Sequence, residues 1–243
     1  MRNNLATYAF RCAVVVLLCA SFARTQEVTL TGRVELVNSD KTTKAHDAGH
    51  VVVWLTPEAG AIRPAAFHPA QNQRLVQKNK SFEPHVLVVP VGAMVAFPNR
   101  DPFFHNVFSL FEGKRFDLGL YEAGSTRDVH FDKPGISYIF CNIHPEMSAV
   151  VVALETPYYG ISDSRGQVVI PNVPSGKYTL RVWYESALPD TLKAITREVT
   201  VTESTSTLGV LRLAEVSAPA PHKNLYGKDY DSPAPDNPAY DGH

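Results

Sequence analysis

Cysteine is scarce in this chain, three residues in 243, which is too few for a disulfide-stapled scaffold. Two of the three, Cys12 and Cys19, lie at the very start. Long apolar runs are missing as well. The stretch from Cys12 to Cys19 falls well short of the roughly 20 apolar residues that a membrane-spanning helix needs. Charge of one sign is not in excess, with 23 Lys and Arg against 24 Asp and Glu. No basic stripe or charge run marks a nucleic-acid partner. Sustained 3.6-residue periodicity is absent too, which excludes a helical bundle.

What the first residues do contain is the pattern of a secretory signal. Arg2 and Arg11 supply positive charge, an apolar run follows, and Ser21-Phe22-Ala23 offers small residues for cleavage. Residues 1–23 are therefore expected to leave as a signal peptide, giving a periplasmic or secreted protein with no membrane span. Cleavage after Ala23 removes Cys12 and Cys19 and leaves Cys141 as the only thiol. In an oxidising compartment a lone cysteine is a liability, an intermolecular link or a ligand.

The remaining chain reads as strands separated by turns. Val28 to Val37 is rich in β-branched residues, and Val51 to Leu55 is a continuous apolar run bounded by Gly49 and Pro57. Further strands are expected at 74–77, 81–89, 94–97, 126–131, 136–140 and 148–155. Leu110 to Gly124 reads as a polar, glycine-punctuated excursion. A second block over 158–213 contains strand patterns at 167–170, 178–184, 198–201 and 209–213, with Asp163-Ser164-Arg165-Gly166 as a turn. The fold class is all-β with sandwich character. From 215 to 243 the chain is rich in Pro, Asp, Ala and Tyr and is expected to form a disordered tail.

Cys141-Asn142-Ile143-His144-Pro145-Glu146-Met147 follows directly on the apolar run Ile136 to Phe140. The spacing C-x2-H-x2-M lets a strand end and a short Pro-containing turn aim thiol, imidazole and thioether at one point. A second imidazole is available from His105, in Phe103-Phe104-His105-Asn106-Val107. His105, Cys141, His144 and Met147 together make a His2Cys set with a weak axial Met, the donor set that suits copper in a blue-copper geometry. One copper ion per chain is expected. A cysteine nucleophile needs an oriented base, and no such context is evident. Zinc is poorly served by a thioether, and a merely buried cysteine does not account for His at +3 and Met at +6. The other histidines (His46, His50, His68, His85, His130, His222 and His243) show no ligand spacing in pairs, although His85 and His130 fall within strand patterns that could flank the site. Phe103, Phe104 and Pro145 could form an apolar collar around the outer imidazole.

These motifs carry two resemblances. Residues 74–155 resemble a cupredoxin, and the short C-x2-H-x2-M loop with Pro after its His looks most like amicyanin. The resemblance implies a Greek-key sandwich, His105 as a buried ligand, and His144 as the ligand near the surface where a redox partner docks. It also implies that Asn106 and Asn142 tie the two ligand loops together through their side chains. Asp163 to Tyr178 resembles the later half of a carboxypeptidase regulatory-like, transthyretin-like sandwich, with its D-x-x-G and P-x-G-x-Y turns. That sandwich's opening strands resemble Leu30 to Val34 and Ala48 to Val53. Residues 27–58 and 156–214 are thus expected to form one sandwich, with the cupredoxin inserted in it. The implied function is single-electron transfer rather than enzyme catalysis. A copper carrier or chaperone, or an interaction module with incidental copper, are the alternatives.

Overall fold

The computed structural model describes residues 26–37, 47–58, 67, 73–110, 113–214 and 222–230. The leader expected over 1–23 lies outside the described residues. The described chain is built almost wholly of strands. In chain order these are β1 (Glu27–Val37), β2 (Val52–Pro57), β3 (Val76–Lys78), β4 (Ser81–Glu83), β5 (Val86–Pro90), β6 (Ala93–Pro98), β7 (His105–Ser109) and β8 (Phe116–Tyr121). They continue with β9 (Thr126–Phe131), β10 (Gly135–Cys141), β11 (Ser148–Leu154), β12 (Tyr159–Ile161), β13 (Gln167–Pro174) and β14 (Gly176–Trp183). One short helix among the described residues, α1 (Pro189–Ile195), precedes β15 (Arg197–Val201) and β16 (Thr207–Ala214).

The first strand has its partners near the far end of the chain. β1 is the centre of a three-stranded sheet, antiparallel to β13 on one side and parallel to β16 on the other. Its side chains alternate with period two, so Leu30, Val34 and Leu36 face inward. β2 similarly lies between β12 and β14 in a four-stranded sheet completed by β15. One buried cluster joins the two sheets, including Leu30, Val34, Val53, Leu55, Ile170, Leu180 and Leu211. Asp163 shapes the turn before β13: its Oδ1 accepts the N–H groups of Arg165 at 2.9 Å and Gln167 at 2.8 Å. Gly166, with φ of 76°, then presents its carbonyl to the Val34 N–H at 2.7 Å. A side chain at Gly166 would run into that strand, since a Cβ there would sit 2.3 Å from Val34 O. The Tyr178 hydroxyl donates to Pro174 O at 2.7 Å and closes the next turn.

The intervening residues form their own assembly. β5, β11, β10, β7 and β8 make a five-stranded sheet in that order, while β6 pairs with β9 and β3 with β4. A second buried cluster lies among them, with Val95, Phe97, Phe131, Ile139, Cys141, Met147 and Val151. β11 (SAVVVAL) is apolar on both faces for a physical reason. Ala149, Val151 and Ala153 join that cluster, whereas Val150, Val152 and Leu154 join a third cluster with Val52, Val86, Val88 and Trp183. This third cluster seats the five-stranded sheet on the sheet that contains β2 and β14.

Three features differ from the sequence reading. The stretch 110–124 contains β8, an edge strand whose half-exposed residues hide its pattern. The strand expected over 81–89 is split into β4 and β5 at a cis Glu83–Pro84 bond. Within the expected tail, residues 222–230 form a turn held against the end of β10, while 215–221 and 231–243 lie outside the described residues.

Candidate metal centre

Two strand ends bring the donors together. His105 opens β7 and Cys141 closes β10, and these strands pair antiparallel with Val107 opposite Cys141. The loop after Cys141 folds back at once: the Met147 N–H donates to His144 O at 3.1 Å, and the Cys141 N–H donates to Met147 O at 3.2 Å. Cys141 Sγ consequently lies 3.6 Å from His105 Nδ1 and 3.5 Å from His144 Nδ1, with the two nitrogens 3.2 Å apart. All three ligand atoms fall within 4.8 Å of one another, and all three residues are buried. Met147 is fully buried in the same cluster as Cys141.

The orientation of His105 has an identifiable cause. Its Nε2–H donates to Asp101 Oδ2 at 2.9 Å, so in the neutral ring Nδ1 is left bare toward Cys141 and His144. Asp101 is only 4% exposed and its charge is met by local donors. The Asn79 N–H reaches Oδ1 at 2.5 Å and the Lys80 N–H reaches Oδ2 at 3.0 Å. Both donors come from the left-handed turn between β3 and β4. Asn99 locks the loop itself, accepting from the Asp101 N–H at 3.0 Å and donating to Phe103 O at 2.7 Å. Phe103 then packs its ring on both imidazoles, 5.3 Å from His105 and 5.4 Å from His144 between ring centres. Phe104, by contrast, is half exposed.

The tie between the ligand loops differs from the expected one. Asn106 and Asn142 are linked by main chain, through the Asn142 N–H to Asn106 O at 2.8 Å. The Asn106 side chain donates instead to Asp117 Oδ1 at 2.7 Å, and Asn142 Oδ1 accepts from the Leu225 N–H at 2.8 Å. The position of His144 differs as well. The residue is 6% exposed, and its Nε2 is enclosed without a hydrogen-bond partner among the described residues.

Electrostatics favour an uncharged pocket. Burial pushes the Cys141 thiol above its ordinary value, opposed by the main-chain N–H groups of Ile143, Asn106 and His144. Burial likewise lowers the His105 pKa against the pull of Asp101. Burial, with the neighbouring His105 second, brings His144 down to about 4. Both imidazoles are therefore neutral at pH 7 with lone pairs to offer, and the thiol holds a proton that a metal ion can displace. Two nitrogen donors and one sulfur donor, converging from buried side chains, fit a soft or borderline cation.

Sequence reasoning brought together the three residues that converge. It missed Asp101, four residues before His105 in Asn99-Arg100-Asp101-Pro102, a turn sequence that does not itself mark the carboxylate as the partner of the imidazole. It also missed a second cluster, in which His85 Nε2 lies 2.7 Å from Glu185 Oε2, His85 Nδ1 lies 3.2 Å from Ser148 O, and the His50 ring is 5.8 Å away. Among the described residues no helix is long and apolar enough to cross a membrane.

No family model matches the chain, and no curated protein matches it. Solved structures do. A purple cupredoxin from Nitrosopumilus maritimus aligns at 22% identity over 34% of this chain and 100% of that chain, with a TM-score of 0.31. A copper-containing nitrite reductase from Thermus scotoductus aligns at 27% identity over 41% of this chain and 25% of that chain, with a TM-score of 0.34. An amicyanin variant in its Cu(I) form aligns at 19% identity over 42% of this chain and 98% of that chain, with a TM-score of 0.33.

Proposed function

We propose that this chain is an exported type 1 copper protein that passes single electrons between redox partners and catalyses no reaction of its own. The observation that carries the reading is the convergence of His105 Nδ1, Cys141 Sγ and His144 Nδ1 in a buried pocket, with His105 aimed by Asp101. Met147, fully buried beside Cys141, is the proposed axial ligand. Bound copper supplies a reversible Cu(II)/Cu(I) couple. The protein's part is to keep the donors in one arrangement through a change of charge. The paired strands, the Asp101 hydrogen bonds and the Phe103 ring all resist rearrangement, which keeps the cost of each transfer low. Burial of all three donors favours retention of the ion over its delivery to an acceptor. A redox partner is proposed to dock near His144, where Phe104 (50% exposed) and Ile143 (39% exposed) offer apolar surface.

Residues 74–155 are read as the cupredoxin unit. Residues 27–58 and 156–214 are read as two parts of a transthyretin-like sandwich into which it is inserted. The placement of β1 between β13 and β16, and of β2 between β12 and β14, supports that division.

The test is optical. Addition of one equivalent of Cu(II) to the metal-free protein is expected to produce an intense thiolate-to-copper charge-transfer band in the visible. Cys141→Ser is expected to abolish it while leaving the far-ultraviolet circular dichroism unchanged. A colourless wild-type protein, or a variant that keeps the band, removes the reading.

A further inference from the structure

The segment 222–230 touches three consecutive residues at the end of β10. The His222 ring stacks on Phe140, with centroids 4.1 Å apart and planes at 24°. The Tyr230 hydroxyl donates to Cys141 O at 2.6 Å. The Leu225 N–H donates to Asn142 Oδ1 at 2.8 Å. The residue that supplies the thiol is thus gripped at its own carbonyl and at both neighbours.

The segment also carries its own internal order. Asn224 Oδ1 accepts the N–H groups of Tyr226 and Lys228, each at 3.0 Å, and the Asn224 N–H donates to Lys228 O at 2.9 Å. The Tyr230 oxygen lies 3.3 Å from His222 Nδ1, and the two rings meet edge to face at 5.3 Å. Fixing the backbone costs about 1–2 kcal/mol per residue, so a segment of this composition is held only where specific contacts offset that cost. Here those contacts fall on the ligand strand.

We propose that residues 222–230 are a clasp on the metal centre and that Tyr230 is a positioning residue for Cys141. This inference rests on the copper reading for its redox consequence, but not for its shielding consequence. By holding the Cys141 carbonyl, the clasp fixes the backbone that aims the sulfur. By covering Phe140 and Asn142 it keeps water from that side of the pocket. A hydrogen bond to the cysteine carbonyl draws electron density from the ligand residue, and exclusion of water disfavours the more highly charged oxidised site. Both effects favour the reduced ion, so the clasp raises the midpoint potential.

The full-length protein, Tyr230→Phe, and a chain ending before His222 test this together, with Tyr226→Phe, at an exposed position, as control. In the metal-free proteins, alkylation of Cys141 by iodoacetamide is expected to be about tenfold faster in the shortened chain, because a buried thiol reacts through local opening and two hydrogen bonds that oppose that opening are lost. In the copper-loaded proteins, the charge-transfer band persists and the midpoint potential falls in Tyr230→Phe and falls further in the shortened chain. Release of Cu(I) to a chelator accelerates in the same order, and Tyr226→Phe matches the wild type in every measurement. Unchanged alkylation in the shortened chain overturns the clasp whether or not copper binds. An unchanged potential in both variants, with the band intact, overturns the role of Tyr230 and leaves the copper reading standing. A purely structural role would lower stability without moving the potential of the folded, loaded protein.

Discussion

Asp101 orients one imidazole of the candidate metal centre without entering the cluster of His105, Cys141 and His144. Its carboxylate collects the His105 Nε2–H and two main-chain N–H groups, and so fixes which nitrogen of His105 faces Cys141. Asp101→Asn keeps an acceptor of similar size but removes the charge that holds the imidazole. Copper affinity is expected to fall about tenfold, as losses of outer partners do, and a competition titration against a chelator of known affinity measures it. The buried thiol makes a second prediction. Cys141 is protonated at neutral pH because burial raises its pKa, whereas burial keeps His105 and His144 neutral. Metal binding therefore releases one proton, and the apparent affinity rises about tenfold per pH unit through the neutral range. Affinities measured at three pH values decide it, and a flat profile rejects it. At this scale the convergence of His105, Cys141 and His144 was legible because the thiol and one imidazole stand in one short loop and His105 has an aromatic-flanked context. Asp101 was not, because the amides that justify its burial belong to a different hairpin. The loop tie was expected from side chains and is made by the main chain, a contact that residue identity does not encode.

Strand β11 shows what the third cluster asks of an element. It is apolar on both faces because each face meets a separate core, and Trp183 from β14 fills the outer one. Trp183→Ala is expected to cost about 3–5 kcal/mol of stability, read from the midpoint of urea denaturation. Next to this contact, His85 precedes β5 and joins the start of β11 to the residue beyond β14. With Nδ1 against Ser148 O and Nε2 against Glu185, both nitrogens are donors only when the ring is protonated. The Glu185 hydrogen bond, partly opposed by burial, raises the His85 pKa above 6.5. The same cleft is lined by His50 and Asp47. The stabilisation is fully present below about pH 6.5, the ordinary histidine value, and is lost as pH climbs through the raised pKa. The Tm is therefore expected to decline as pH rises above that point, and His85→Gln to flatten the decline. Most elements were legible from apolar runs bounded by Gly and Pro. β8 was not, since an edge strand with half-exposed residues and Gly119 at φ 66° gives no clean alternation.

At the scale of the whole molecule, the first and last of the described strands lie in one sheet. Thr31 donates its hydroxyl to Ser206 O across 175 residues of sequence, and β1 supplies the centre of a sheet whose edges are β13 and β16. A chain of residues 156–214 alone has those edges without their centre. It is expected to show no cooperative thermal transition, and a calorimetric peak from it would refute the divided arrangement. The Asp163–Gly166 and Pro174–Tyr178 turns made strands β13 and β14 legible, but the pairing of β1 with β13 and of β2 with β14 could be expected only by matching motifs. The arrangement also sets an order in time. As the chain emerges, β1 and β2 come first and have no sheet to join until strands from 159 onward follow them. The strands from 76 to 154 pair in sheets only with one another and can assemble earlier. Long-range pairing is the slow part of folding, so the pocket of His105, Cys141 and His144 is expected to form while β1 still waits. The segment that grips Cys141 follows all of the described strands in sequence, so on the clasp reading the site forms first and is sealed afterwards.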